Sequence, residues 1–353
     1  MRHNKLLAKH FDLQRFANPN TQTTLMNGQS PYSNDLSPEM KTYYEKRLID
    51  LAEPELVHDQ FGDSYPIPQG SGKTIEFRKY DSLPKALTPL TEGVTPDGTN
   101  LNVTAINATV SQYGAYVTVS DMLKLTAIDN NIVQALHLLG SQAGRTLDSI
   151  TRDALAGGTN VIYAGGRTSR SALTTADTLT PEYFFMAAAQ LEAMNAPKIN
   201  GSYVAIIHPF AAFDLMRSSE WISTHQYASA ENIFNGEIGK IGNVRFVQTS
   251  EAKVWKAAAD NCPSYTEGTS PNTTTKYYGV FSTLVLGAKA YGKTNVEGGG
   301  LQTIVKQLGS GDDPLNQRAT VGWKATKVAK RLVEQYMVRI ESLSAYSKSV
   351  AAN

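Results

Sequence analysis

Residues 69–77 read QGSGKTIEF, and Gly72-Lys73-Thr74 match the end of a phosphate-binding loop. Such a loop wraps nucleotide phosphates in backbone N–H groups at the start of a helix, with its lysine on the phosphates. The spacing requires a first glycine at Ile67, and the following TIEFRKY alternates as a strand does. We therefore predict a turn that opens a strand, with Lys73 as a surface charge. A nucleotide-binding enzyme using Lys73 is kept as an alternative.

The histidines do not form a metal-binding or catalytic pattern. No H-x-x-x-H or H-E-x-x-H spacing occurs among them, so a helical zinc site is not indicated. His208 ends an apolar run and His137 lies within a helical pattern, which favours structural roles for both. The six are His3, His10, His58, His137, His208 and His225.

The single cysteine and the glycine- and aspartate-rich stretches also lack a catalytic setting. Cys262 excludes an intrachain disulfide, and no histidine lies near it in sequence. Gly298-Gly299-Gly300 lacks the strand-turn-helix spacing of a dinucleotide site, and Asp312-Asp313 has the composition of a turn. We predict no catalytic residue, no cofactor-binding residue, no metal site and no enzyme activity.

The composition is that of a globular chain with almost balanced charge. The 353 residues are 41% apolar, and 33 Lys and Arg against 32 Asp and Glu leave a net charge of +1. A nucleic-acid clamp needs clustered positive charge, so the balance argues against one. No apolar run is long enough for a membrane span or a signal peptide. We expect a soluble chain made in the cytoplasm, without a membrane partner.

The strongest local signal is a helix over residues 130–156. Its apolar residues recur at three- and four-residue steps for seven turns: Ile132, Leu136, Leu139, Ala143, Leu147, Ile150 and Ala154. On another face, Asp148 is spaced for ion pairs with Arg145 and Arg152. We predict a long one-sided helix, ended by Gly157-Gly158, with these charges on its surface.

The other elements interleave helices and strands. Ser37-Pro38-Glu39 and Thr180-Pro181 have the composition of helix starts. Residues 74–80 and 101–120 alternate and predict a long antiparallel hairpin with a large insertion. Residues 202–209 and 277–287 predict further strands, and residues 236–250 predict a glycine-rich turn that leads into a strand. A polar insertion spans 256–276, and two strand-like runs end the chain. Because no βαβ unit repeats, the fold class is predicted to be α+β.

Residues 91–121 resemble the extended hairpin loop of tailed-bacteriophage major capsid proteins. In that family an E-G turn leads into alternating strands that end in V-x-V-S-[DE]. Glu92-Gly93 and the run Val117-Thr118-Val119-Ser120-Asp121 match this pattern. The predicted helix 130–156 is similar to the family's spine helix. Residues 236–250 are similar to its G-x-P-V strand, with Gly236, Gly239 and Gly242 present and Asn243 in place of proline; residues 277–287 resemble a later strand.

Within the family, residues 42–57 and 70–93 look most like a podovirus subgroup related to the N-four coliphage. The resemblance implies the tailed-phage and herpesvirus type of major capsid fold. It also implies hexamers and pentamers that enclose double-stranded DNA in an icosahedral virion assembled in the host bacterial cytoplasm, with portal, scaffolding and decoration proteins as further partners. The implied parts are an N-terminal arm (1–36), an N-terminal helix region (37–65), an extended hairpin loop (66–120), a peripheral domain with the spine helix (121–200), an axial domain (201–318) and C-terminal strands that return to the peripheral domain (319–353).

The residues support that reading independently. A polar N-terminal arm and a long hairpin without a core of its own are surfaces that require partners. A shell of the same fold could instead hold protein cargo, as an encapsulin does. That compartment shell is kept as the second alternative.

Overall fold

The computed structural model describes residues 57–80, 82–90, 92–95, 97–126, 131–218, 221, 237–267, 274–308 and 313–346. The predicted N-terminal arm (1–36) and the helix beginning at Ser37 lie outside this part, as do Gly236 and Asp312. His3, His10 and His225 also lie outside it.

Helices and strands alternate irregularly along the described residues. The helices are α1 (Asp121–Thr126), α2 (Asn131–Ala156), α3 (Pro181–Ala193) and α4 (Pro209–Met216). The strands are β1 (Asp63–Ser64), β2 (Thr74–Tyr80), β3 (Val103–Thr109), β4 (Ser111–Ser120), β5 (Val161–Tyr163), β6 (Tyr203–Ile207), β7 (Glu237–Ile241), β8 (Val244–Gln248), β9 (Val254–Trp255), β10 (Ser264–Glu267), β11 (Thr274–Tyr277), β12 (Val280–Leu286), β13 (Tyr291–Thr294), β14 (Gln302–Lys306), β15 (Arg318–Arg331) and β16 (Met337–Ser342).

The chain divides into two compact units. The described residues of Gly114–Gly140 and Leu301–Lys324 belong to the first unit. Those of Ala52–Tyr113, Ser141–Gly300 and Ala325–Asn353 belong to the second. Each unit is therefore assembled from segments that are far apart in sequence.

The second unit is built on a seven-stranded mixed sheet. Its order is β5-β16-β12-β6-β8-β7, and β9 pairs with β12. β6 runs parallel to β8, whereas β12 runs antiparallel to both β6 and β16. Every residue of β6, β12 and β16 is buried. Strands covered on both faces read as continuous apolar runs, which is why the sequence identified β6 and β12.

Apolar layers cover both faces of this sheet. On one face, Tyr203, Ala205 and Ile207 of β6 join the buried side chains of α3 and α4 in one cluster. On the other, the alternate residues Val204 and Ile206 pack in a cluster with Leu155 of α2 and with Val57 and Phe61. Alternation along a strand sends successive side chains to opposite faces. The sheet is thus sandwiched between two layers of different composition.

Helix α2 confirms the predicted long helix but corrects its charged face. It begins at Asn131 and ends at Ala156, and its predicted apolar residues are buried or half-buried. Asp148 does not form the predicted surface pairs. It is fully buried and contacts His58 instead, while Arg145 and Arg152 turn to Glu251. A carboxylate buried by tertiary packing takes the partner that is buried with it, and not the nearest charge on the helix surface.

The hairpin prediction is confirmed for β2 and β3 and wrong for β4. β2 and β3 pair antiparallel from Thr74↔Thr109 to Tyr80↔Val103, with residues 81–102 as the insertion. The Val110 amide still donates to the Lys73 carbonyl over 2.8 Å, and beyond it β4 pairs with β15 instead.

Three smaller corrections concern the second unit. The glycine-rich residues before β8 are themselves a strand, β7, paired antiparallel with β8. The polar insertion contains a two-stranded hairpin of β10 and β11. Thr180 stands at the N-cap position of α3, but its side chain does not cap the helix.

In the first unit, β4 and β14 flank part of β15. β14 pairs antiparallel with β15 from Gln302↔Lys324 to Lys306↔Thr320. Gly114 of β4 lies so close to β15 that a Cβ there would stand 2.6 Å from the Trp323 carbonyl oxygen. At the end of β4, the Ser120 hydroxyl accepts from the Leu123 amide over 3.2 Å, and α1 begins at Asp121. The predicted step at Ser120-Asp121 is therefore a strand followed by a capped helix.

Candidate assembly surfaces

Lys73 lies in a turn that opens β2. Gly70 and Gly72 both adopt a φ of +84°, a backbone conformation that residues other than glycine rarely adopt. Strand β2 follows at Thr74, where a phosphate loop would require a helix. Lys73 is exposed. The predicted turn is confirmed, and the local backbone is not that of a phosphate cradle.

The β2–β3 hairpin has one apolar and one polar face. Ile75 stands opposite Ala108, and Phe77 opposite Ile106. These side chains are buried or half-buried, and the Phe77 ring meets the edge of Tyr65 with ring centres 5.2 Å apart. The other face is exposed and carries an ion pair between Arg78 and Glu76. An isolated two-stranded hairpin is marginal in water, so the apolar face is what holds this one in place.

The loop between β2 and β3, residues 82–102, exposes large apolar side chains. Five of them are between 54% and 82% exposed: Leu83, Leu87, Leu90, Val94 and Leu101. Tyr80 and Val103, where the strands meet the loop, are also exposed. The predicted turn at Glu92-Gly93 is present, with Gly93 at a φ of +78°. Exposed apolar surface of this extent marks an interaction site.

The first unit offers a second exposed surface beside β4. A groove of about 300 Å³ there has Tyr116, Ile304, Lys306 and Trp323 among its lining residues. Tyr116 is 73% exposed. Such an open, mostly apolar groove is another surface on which a partner could lie.

The described histidines and the cysteine have structural positions. His208 caps α4, because its Nδ1 accepts from the Phe210 amide over 3.2 Å. Burial lowers the pKa of His208 to about 4. His137 is exposed on α2. Cys262 is buried, and burial raises the pKa of its thiol, which leaves it less reactive.

Asp313 and the glycines also match the predicted turns. The Asp313 carboxylate accepts from the Gln317 amide over 2.8 Å, and Gly298 has a φ of +79°. Within the described residues no group of His, Cys, Asp and Glu could hold a metal ion. Among those same residues no helix is long and apolar enough to cross a bilayer.

Sequence reasoning missed a buried polar cluster around His58 and Asp59. His58 and Asp148 are fully buried, with Nδ1 of His58 2.6 Å from Oδ2 of Asp148. The ammonium of Lys327 contacts the carboxylate of Asp59. Burial lowers the pKa of Lys327, although Asp59 opposes this shift. The available signal in the sequence is that two adjacent polar residues, His58 and Asp59, lie between the apolar residues Val57 and Phe61. The structure buries both of these apolar residues.

Comparison with known proteins gives a consistent result. A sequence model of the family described as "Phage capsid protein" matches residues 103–338. No curated protein sequence matches the chain.

Solved structures show the same architecture. The capsid of Ralstonia phage GP4 is 16% identical, with 93% of this chain and 97% of that chain covered and a TM-score of 0.61. The capsid of cyanophage Pam1 is 13% identical, with 92% and 98% covered and a TM-score of 0.61. The SrpI encapsulin of Synechococcus elongatus is 10% identical, with 95% and 98% covered and a TM-score of 0.50. The predicted α+β capsid fold is confirmed.

Proposed function

The chain belongs to the phage capsid protein family, and from that premise we propose that copies of it form the hexamers and pentamers of an icosahedral head around double-stranded DNA. The observation that carries the proposal is the loop 82–102, whose five large apolar side chains are exposed in the single chain. Full burial of one such side chain by a partner contributes about 1.5–3 kcal/mol of favourable free energy to association. A neighbouring copy is the partner that a shell supplies.

The finer assignments follow the resemblance. The proposed parts are an arm (1–36), an N-terminal helix region (37–65), an extended loop (66–120), a peripheral domain (121–200), an axial domain (201–318) and C-terminal strands (319–353). Podoviruses related to the N-four coliphage are the proposed subgroup. Assembly is proposed to occur in the host bacterial cytoplasm, with portal, scaffolding and decoration proteins as partners.

The proposed role is structural and not enzymatic. The turn at Gly70 and Gly72 leads into a strand, so Lys73 has no helix N-terminus beside it. A nucleotide-binding enzyme would be stabilised by its ligand. ATP or GTP at millimolar concentration should leave the melting temperature unchanged. A rise that Lys73→Ala abolishes would favour the enzyme.

The loop is tested by replacing two of its apolar side chains. We expect Leu87→Asp with Leu90→Asp to reduce the yield of capsomers or shells at least tenfold, because charged groups cannot be buried without partners. Thr88→Asp, on the same exposed loop, adds charge without removing apolar surface and serves as the matched control. Electron microscopy and size exclusion measure assembly, and circular dichroism verifies folding. Unchanged assembly of the double variant, or a wild-type chain that stays monomeric, would contradict the proposal.

A protein-filled compartment is the second candidate, because an encapsulin shares the fold. The two shells differ in content. Particles from infected cells should absorb at 260 nm through nuclease-resistant double-stranded DNA. Particles that contain protein cargo and no nucleic acid would favour the compartment.

A further inference from the structure

Residues 57–62, here called the strap, lie against α2, β13 and β15 within the second unit. Val57 and Phe61 are buried in one apolar cluster with Leu155 and Tyr291. The strap precedes β1 and has no ladder pairing of its own. A turn bond from the Gln60 amide to the Val57 carbonyl, 3.3 Å long, shapes it. Its attachment therefore depends on side chains.

His58 binds through both its backbone and its ring. Its amide donates to Oδ1 of Asp148 over 2.7 Å, and its Nδ1 lies 2.6 Å from Oδ2 of the same carboxylate. Its carbonyl accepts from the Tyr291 hydroxyl. The Nδ1 position of an imidazole can carry a hydrogen and donate it to a carboxylate oxygen, so the ring and the amide of His58 both reach Asp148. Asp148 of α2 thus binds both the backbone amide and the ring of His58.

Asp59 occupies a second set of partners. Its Oδ1 accepts from the Thr151 hydroxyl over 2.6 Å, and its Oδ2 contacts the Lys327 ammonium. Its carbonyl accepts from Nζ of Lys293 over 2.9 Å. Lys327 also donates to the Leu147 carbonyl over 3.1 Å. Two adjacent residues of the strap therefore engage one helix and two strands.

Gly62 has no side chain, and this leaves room for the Tyr291 ring. A Cβ at this position would stand 2.3 Å from Cε2 of Tyr291. The Tyr291 ring is itself 1% exposed and cannot move into solvent without leaving its cluster. An alanine at position 62 would displace the ring, and with it the hydroxyl that binds His58.

The polar contacts make a partly attached strap unfavourable. Buried ion pairs lose hydration that their attraction only partly returns, so the network adds less net stability than its number of contacts suggests. Nε2 of His58 is buried and has no hydrogen-bond partner among the described residues, a further cost of the bound state. Removing Asp148 leaves the amide and ring of His58 buried without their partner, and removing Lys327 leaves one oxygen of Asp59 without its cation. Release of the strap instead exposes the polar groups of His58 and Asp59 to water.

We propose that the strap is a separately releasable element that is fastened to α2 by the His58–Asp148 contact. The face of the sheet that packs against α3 and α4 keeps its cover when the strap opens. The opposite face loses the contacts of Val57 and Phe61, while β6 and β12 remain paired with each other. The inference rests on these contacts and is independent of the proposed function.

Hydrogen exchange of the full chain in low urea tests the opening. We expect the amides of residues 57–62 to exchange through a small opening whose rate hardly changes with urea. Amides of β12 should exchange through a larger, urea-dependent opening. Equal urea dependence for the strap and β12 would overturn the proposal.

Two variants of different chemistry test the fastening. Asp148→Asn and Gly62→Ala should each raise the exchange rate of strap amides at least tenfold and leave β12 within twofold. Glu251→Gln is the matched control, because Glu251 also binds α2, through Arg145 at 2.7 Å. An unchanged strap in both variants, equal acceleration of β12, or the same release in the control would each overturn the proposal.

Discussion

At the scale of single residues, the buried polar groups of this protein take partners both near and far along the chain. Glu341 is fully buried and accepts two hydrogen bonds of 2.6 Å from the Arg170 guanidinium, a bidentate geometry. Arg339 lies 2.9 Å from the same carboxylate. Nδ1 of His208 accepts a hydrogen bond from the Phe210 amide at the N-terminus of α4. Burial makes each of these groups sensitive to loss of its partner.

The lowered pKa of His208 predicts that the free energy of unfolding decreases in mild acid. Its pKa of about 4 in the folded chain is below the usual 6.5, so the unfolded state binds the proton more tightly. The stability is fully present above pH 6.5 and falls as the pH drops toward 4, by about 2 kcal/mol at pH 5. Urea unfolding at pH 7.5 and pH 5 measures this.

His208→Asn isolates the effect. Asparagine is a good N-cap, so it keeps an acceptor for the Phe210 amide and removes the titrating ring. We expect the variant to lose about 2 kcal/mol less than the wild type between the two pH values. His137→Asn, at an exposed position, is the control. Equal losses in wild type and His208→Asn would rule out this residue as the cause.

At the scale of elements, the parts that lack a core of their own are held by one face. The hairpin of β2 and β3 rests on Ile75, Phe77 and Ala108, and the strap rests on His58 and Asp59 with their apolar neighbours. The hairpin exposes its other face, and the strap, although mostly buried, has no strand pairing of its own. Such elements open at a lower free energy than the sheet.

Phe77→Ala should loosen the hairpin selectively. The substitution removes the contact with Tyr65 and the packing against Ile106, worth about 1–3 kcal/mol for a half-buried aromatic. Hydrogen exchange of β2 and β3 should accelerate at least fivefold while β12 is unchanged. Tyr80→Ala is the control, since Tyr80 is exposed at the end of β2. Similar acceleration by both variants would refute the one-faced anchoring.

At the scale of the whole molecule, balanced charge accompanies exposed apolar surface. The net charge is +1, and the five loop side chains from Leu83 to Leu101 are mostly in solvent. Apolar burial contributes association energy that salt does not screen. A shell subunit of this kind can approach its own copies without strong repulsion.

Assembly should therefore tolerate high salt. At 1 M NaCl the screening length is about 3 Å, which removes most attraction between exposed charges. We expect the yield of shells, measured by light scattering and electron microscopy, to stay within twofold between 0.1 and 1 M NaCl. Dissociation at high salt would show that ion pairs, and not the apolar loop, hold the subunits together.

The sequence by itself determined the elements whose signals are local. The period of α2, the apolar runs of β6 and β12, and the glycines before β2 each specify backbone structure within a short window, and all were predicted correctly. The order of these elements also carried the family resemblance. Local periodicity reports which face of an element is buried.

Only the tertiary structure decided which partners those faces meet. Asp148 has the spacing for surface pairs with Arg145 and Arg152, yet it is buried against His58, 90 residues away. β4 continues the alternation of β3, yet it pairs with β15. The physical reason is that burial and strand pairing depend on contacts between distant segments, and a carboxylate taken out of water binds whatever donor is buried beside it.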